Sequence, residues 1–316
     1  MEYFMLFGFV GILRESLKIF CKNGKLMASL SLLTLSLFSL FYLCYVFSIK
    51  PVITDFLLKQ SLLPVTDPKS PEFFLLLLDL KDDIRAFVGI EWIYVLITTA
   101  VSLFFTTAAI IAAAMVHGGR NLNFKELLIS TIKSFKKVLF TWFYTTLLGL
   151  GFVFLVLANL LPMVLVVQQP LAAKVLAVIL VILASVLYIY LAVIWILAFV
   201  VSVLEEKRGV EALGKAAQIV KGMQLTGFRL NLVFTVLFMV PHGMNMMLGT
   251  KLLFSISMIV TLVFVNYIWL VKMFMLSAYT VLYYQCKKIH GEEVELQWDS
   301  GYNKVPTLPL LDESLA

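Results

Sequence analysis

Hydrophobic positions in this chain run in long blocks instead of alternating. Six stretches are nearly free of charge: Leu26 to Ile49, Trp92 to Val116, Val138 to Val167, Val175 to Val203, Leu230 to Leu248 and Leu252 to Tyr284. About 20 apolar residues cross the roughly 30 Å hydrocarbon layer as a helix, because each residue rises about 1.5 Å. Lipid offers no partner to backbone N–H and C=O groups, so helix is the expected form. A barrel would alternate polarity along each strand, and these blocks do not. The pattern therefore predicts an all-α polytopic membrane bundle of about six transmembrane helices. The third, fourth and sixth blocks exceed one straight crossing, which predicts tilt or extension beyond the bilayer. Pro162 is placed to end or kink the third.

The polar stretches between the blocks give the topology. Lys and Arg concentrate on one side. Arg14, Lys18, Lys22 and Lys25 precede the first span. Arg120, Lys125, Lys133, Lys136 and Lys137 lie between spans two and three. Lys207, Arg208, Lys215, Lys221 and Arg229 precede span five, and Lys287, Lys288 and Lys304 follow span six. The other side holds Lys50, Lys59, Lys69, Lys81, Arg85, Lys174 and Lys251. This asymmetry places both termini in the cytosol, which an even number of spans also requires. The outer side then carries one long loop, about residues 50–91, and two short ones. Within that loop Ser70-Pro71-Glu72 reads as a helix start, with a cap, a proline at the first position and an acid at the positive dipole end. The run Phe73 to Leu78 that follows is too short to cross and is expected to lie on the outer leaflet or on the bundle. Beyond Tyr284 the composition turns acidic and proline-bearing, so residues 286–316 are expected to form a poorly ordered cytosolic tail.

Three of the basic segments share a pattern. Glu15, Leu17 and Lys25, then Glu126, Leu128 and Lys136, then Glu211, Leu213 and Lys221 each place Leu two and Lys ten residues after Glu. Each leads into a span: the first, third and fifth. Phe9, Ile12, Leu13, Leu17 and Phe20 recur at helical spacing, as do Phe124, Leu127, Leu128, Ile132 and Phe135, and Val210, Leu213, Ala217 and Val220. Basic amphipathic helices of this kind lie in the membrane interface. The expected architecture is three pairs of spans, each preceded by a cytosolic amphipathic helix. Lys25, Lys136 and Lys221 are the predicted contacts to anionic headgroups.

Certain stretches also resemble a known family. Ile12-Leu13-Arg14-Glu15-Ser16, Glu205-Glu206, Gly209-Val210-Glu211-Ala212-Leu213-Gly214-Lys215-Ala216 and Lys221-Gly222 are similar to a plant family of uncharacterised six-span membrane proteins. A remoter similarity links that family to bacterial membrane domains, including the one attached to some glycerophosphodiester phosphodiesterases. The resemblance implies an all-helical, multi-pass protein of the endomembrane system or plasma membrane. It implies no enzyme, because the phosphodiesterase domain has no counterpart here.

Composition adds little beyond the blocks: 61% of residues are hydrophobic and 14% charged, against roughly half and a quarter in soluble domains. The net charge of +6 is accounted for by the basic loops, and no nucleic-acid-binding signature accompanies it. Cys21, Cys44 and Cys286 form no disulfide framework; Cys21 and Cys286 flank spans, where thiols can be acylated. His117, His242 and His290 fall in separate segments with no metal-ligand spacing, so no metal or cofactor is predicted. His117-Gly118-Gly119 reads as a capped helix end. Glu205-Glu206 with Lys207-Arg208 reads as a solvated charge cluster, since the arginine spacing of intramembrane prenyl-protein proteases is missing. The remaining leads are polar groups inside spans, which are costly in hydrocarbon and mark cavities, partners or boundaries. Asn159 is one. His242 and Asn245 follow Pro241 in the short fifth span, and Asn266 and Lys272 lie in the sixth; together they form the candidate intramembrane cluster. Lys272 also fits an inner boundary from which its ammonium snorkels to the cytosol. Two functions follow: a non-catalytic protein organising lipid or protein partners through its interfacial helices, or a small-solute or ion transporter with its path near Pro241.

Overall fold

The computed structural model describes residues 2–22, 24–119, 123–165, 171–205, 207–248 and 254–291, all helical or in short connections, with no strand among them. Eight helices follow in order: α1 (Glu2–Lys22), α2 (Gly24–Leu62), α3 (Pro71–His117), α4 (Phe124–Leu165), α5 (Leu171–Leu204), α6 (Val210–Ile219), α7 (Gln224–Leu248) and α8 (Phe254–Ile289). Six of them, all but α1 and α6, are long and apolar enough to cross a membrane. The protein is a multi-pass membrane protein. The first residues of the expected tail, 286–289, are instead the last turn of α8, with Cys286 and Lys287 buried; residues 292–316 lie outside the described residues.

Helices α3, α5 and α8 pack on one another and form the centre. α2 and α7 flank α8, α4 lies against α3 and α5, and α1 packs on α8, α3 and α7. Consecutive spans touch all along the chain, α3 on α4 included, so packing does not set three pairs apart. The core sits towards the end of the bundle that carries α1 and α6, here the basic end. There, every residue of α3 from Phe105 to Val116 is buried. Alanines at 108, 109 and 112–114 make this possible, since small side chains let neighbouring helices approach on every face. Towards the far end burial falls. Phe154 on α4 is 75% exposed and Leu183 on α5 is 62% exposed. In a bilayer such residues face acyl chains, which are as apolar as they are.

The inward face of α4 is lined by Leu127, Thr131, Ser134, Val138, Thr141 and Thr145. Steps of three and four residues make this one stripe. Its threonine hydroxyls are satisfied within the helix, Thr131 Oγ1 donating to Leu127 O at 2.8 Å, Thr141 Oγ1 to Lys137 O at 3.1 Å and Thr145 Oγ1 to Trp142 O at 2.9 Å. The apolar stripe expected from the sequence is therefore displaced: Phe124 and Ile132 are exposed. Membrane helices pack through small and hydroxyl residues and turn their bulk to lipid, which reverses the rule for soluble helices.

The three similar segments take different forms. α1 leads to α2 and α6 leads to α7, but the middle segment is the uninterrupted start of α4, a 42-residue helix. The residue after each shared glutamate, Ser16, Leu127 and Ala212, is fully buried. Leu17 is nevertheless exposed and Leu213 buried, so the shared leucines do not occupy equivalent surroundings.

The stretch 50–91 is no open loop. α2 is 39 residues long and continues to Leu62, and α3 is 47 residues long and begins at Pro71. Ser70 caps α3 as expected, its hydroxyl accepting from the Phe73 amide at 3.2 Å. Phe73 to Leu78 form the first turns of α3, not a separate surface helix. At about 1.5 Å per residue α3 measures about 70 Å, more than twice the hydrocarbon thickness. Lys59 fastens this helical hairpin, reaching Asp83 at 2.8 Å across to α3 and Asp55 at 3.0 Å on its own helix.

Candidate functional site

The most developed polar feature within the bundle is a cavity of about 520 Å³ between α3, α4, α5 and α8. Thr98, Ser102 and Thr106 line it from α3, Trp142 from α4, Phe199 from α5 and Lys272 from α8. The three α3 hydroxyls recur every four residues and so share one helix face. The Lys272 ammonium donates to Ser102 Oγ at 2.7 Å. It also lies 4.5 Å from the centre of the Trp269 ring, whose π face attracts a cation. The opposite face of Trp269 is engaged by Phe38 on α2, with ring centres 3.5 Å apart and planes 19° from parallel. An ammonium carries three donors, and its hydrogen-bond partner among the described residues is one serine. Lys272 therefore does not snorkel to the basic end. It turns into the bundle.

Of the candidate cluster, Asn266 and Lys272 are described, and they point apart. Asn266 accepts from Ser39 Oγ at 3.1 Å, which joins α8 to α2. Lys272, six residues on, faces α3. Six residues advance a helix by about 600°, so the two side chains point in different directions. The side chains of His242 and Asn245 lie outside the described residues. Asn159 is exposed and bonds its own helix, Nδ2 donating to Leu155 O at 2.7 Å.

A second polar layer ties helices together at the basic end. Glu205, at the end of α5, accepts from Tyr283 Oη at 2.7 Å and pairs with Lys287 at 3.1 Å, both on α8. It is not part of a solvated cluster: its side chain is only 15% exposed. His117 closes α3, lies 3.3 Å from Glu15 on α1 and stacks on Tyr284 at 4.6 Å. Cys286 is buried in the same region, which removes it as an acylation site, whereas Cys21 is exposed. The loop before α6 docks on α4, where the Gly209 amide donates to Thr141 Oγ1 at 3.0 Å. Lys25, Lys136 and Lys221 are all exposed.

A family described as a Domain of unknown function (DUF8558) matches residues 1–300. The chain belongs to this family. The match takes in all eight helices of this DUF8558 chain, and with them the Lys272 cavity and the basic-end layer. Neither a curated protein nor a solved structure matches it.

Proposed function

We propose that the protein is a non-catalytic multi-pass membrane protein that organises lipid at the cytosolic leaflet, with its basic end and both termini in the cytosol. The observation that carries this reading is the exposure of Lys25, Lys136 and Lys221. Each stands close to the point where the chain enters the first, third or fifth span. Lysines at that depth attract anionic headgroups, by about 1 kcal/mol each near the surface. The non-catalytic part of the reading is supported by where the acids and histidine go. Glu15, Glu205 and His117 are used in helix-to-helix contacts. Kinship with the plant six-span proteins, and an endomembrane or plasma-membrane address, belong to the same proposal.

The test is lipid selectivity of the full chain in bilayers of phosphatidylcholine and phosphatidylserine. Spin-labelled phosphatidylserine should be immobilised in preference to the choline lipid. Replacing Lys25, Lys136 and Lys221 together by Glu should abolish the preference; an unchanged preference would sink the reading.

The cavity favours a second reading, a carrier for a small anion that passes Lys272. Uptake of a panel of organic and inorganic anions into proteoliposomes tests it, and a rate no higher than in empty vesicles argues against it.

A further inference from the structure

Lys272 brings a positive charge into a setting of hydroxyls, indole and hydrocarbon. A lone charge at membrane depth is costly, and more so without water or a counter-ion. Among the described residues its polar contact is Ser102 alone, and the cavity beside it has no acidic lining residue. Lys272 stands 15 residues before Lys287 on α8, about 22 Å along the helix from the basic end. On α4, Trp142 lies five residues beyond Lys137, about 7 Å along that helix.

An apolar groove of about 210 Å³ runs between α4 and α5 further from the basic end, lined by Phe152, Val156, Asn159, Leu183 and Leu187 among others. Trp142, Gly149, Phe152, Val156 and Asn159 follow one another at steps of seven, three, four and three residues. The cavity and the groove therefore lie on one face of α4, with the Trp195 ring packed beside Gly149 between them. Phe152 stands ten residues beyond Trp142, about 15 Å along the helix.

We propose that the Lys272 cavity holds the acidic head of a single-chain anionic amphiphile, a carboxylate or phosphate oxyanion paired with the Lys272 ammonium, and that its acyl chain lies along the α4–α5 groove. The Ser102 hydroxyl, which accepts from Lys272, supplies its O–H to the same oxyanion, whereas the Thr98 hydroxyl donates to Tyr94 O at 2.6 Å. This inference rests on the reading of the protein as a lipid organiser and names a lipid that it holds individually, within the bundle and apart from the surface lysines.

Equilibrium binding to the full chain in phosphatidylcholine nanodiscs decides the matter, with oleate as probe. Oleyl alcohol serves as the uncharged control, and acetate and inorganic phosphate as chainless competitors. Wild-type protein should bind oleate at one site, oleyl alcohol at least about tenfold more weakly, a difference of about 1.4 kcal/mol. K272M should lose about tenfold in oleate affinity and K272R should retain it. Should K272M fail to fold, S102V reports the same contact with a smaller loss. Equal binding of oleate by wild type and K272M, or by wild type and S102V where K272M does not fold, overturns the proposal. So does oleyl alcohol binding as tightly as oleate, because charge would then play no part. Displacement of oleate by acetate or phosphate at comparable concentration would make the site one for free anions and overturn the amphiphile. Substitution of Lys25, Lys136 and Lys221 by Glu should leave oleate binding intact. Failure of the surface reading and failure of this one are thus read in separate experiments.

Discussion

At the level of single residues, a few positions have requirements set by atoms far away in sequence. Gly209 has φ +57°, and a Cβ there would come within 2.8 Å of the Tyr144 ring. Gly209→Ala should therefore cost about 1–3 kcal/mol through backbone strain and the displaced ring. The measurement is the unfolding temperature of the full chain in detergent, with Gly214→Ala as control, since a Cβ at Gly214 meets nothing within 4 Å. Glu205 makes a different demand. Glu205→Ala removes an acceptor of Tyr283 and a counter-charge of Lys287, both largely buried, and should destabilise by about 1–3 kcal/mol. Glu205→Gln should recover part of that loss, because an amide oxygen still accepts from Tyr283. Adjacent Glu and Lys letters at 205–208 look like any solvated turn; only the return of α8 beside α5 gives Glu205 its partners.

Among the elements, the α2–α3 hairpin is the one most changed from expectation. Periodicity and capping mark both helix ends around residues 62–71, yet nothing local says that α2 and α3 continue so far past the hydrocarbon. Lys59 shows what holds them. The carboxylates of Asp83 and Asp55 raise its pKa from 10.5 to about 12. A raised cation contributes its stability fully below its unfolded value and loses it as pH climbs through the folded one. Amide-exchange protection of the hairpin should therefore be insensitive to Lys59 up to about pH 10 and weaken towards pH 12. Lys59→Met should show weaker protection already at neutral pH. A second element contact is the crossing of α5 and α7, where a Cβ on Gly227 would come within 2.8 Å of Val193 Cγ1 and Asn231 Nδ2 donates to Ile189 O at 2.9 Å. Gly227→Leu should force these helices apart and lower the unfolding temperature more than the same change at Gly243, where a Cβ meets nothing within 4 Å.

For the whole molecule, the distribution of burial is uneven. Burial is concentrated at the basic end and on α3, so lipid has more access to α4 and α5 than to α3. Tags at the two termini should be accessible from the same face of a sealed vesicle, the cytosol-facing one in cells; protection of one and exposure of the other would contradict six crossings. The cavity belongs to this scale as well. It is made by four helices whose lining residues span positions 98 to 276, and no segment contains enough of it to be recognised alone.

The number of crossings, the helical class and the exposure of Lys25, Lys136 and Lys221 could all be read from the sequence. They depend on length, apolarity and charge, quantities that add up along a chain. Lys272 and Asn266 stand out for the same reason, as polar letters in apolar blocks. Tertiary structure alone decided where those groups point: Lys272 to Ser102, Asn266 to Ser39, Glu205 to Tyr283 and Lys287. It also decided which face of each helix is inward. In lipid both faces are apolar, so periodicity cannot separate the face that meets protein from the face that meets acyl chains; only the fit of small side chains between neighbouring helices does.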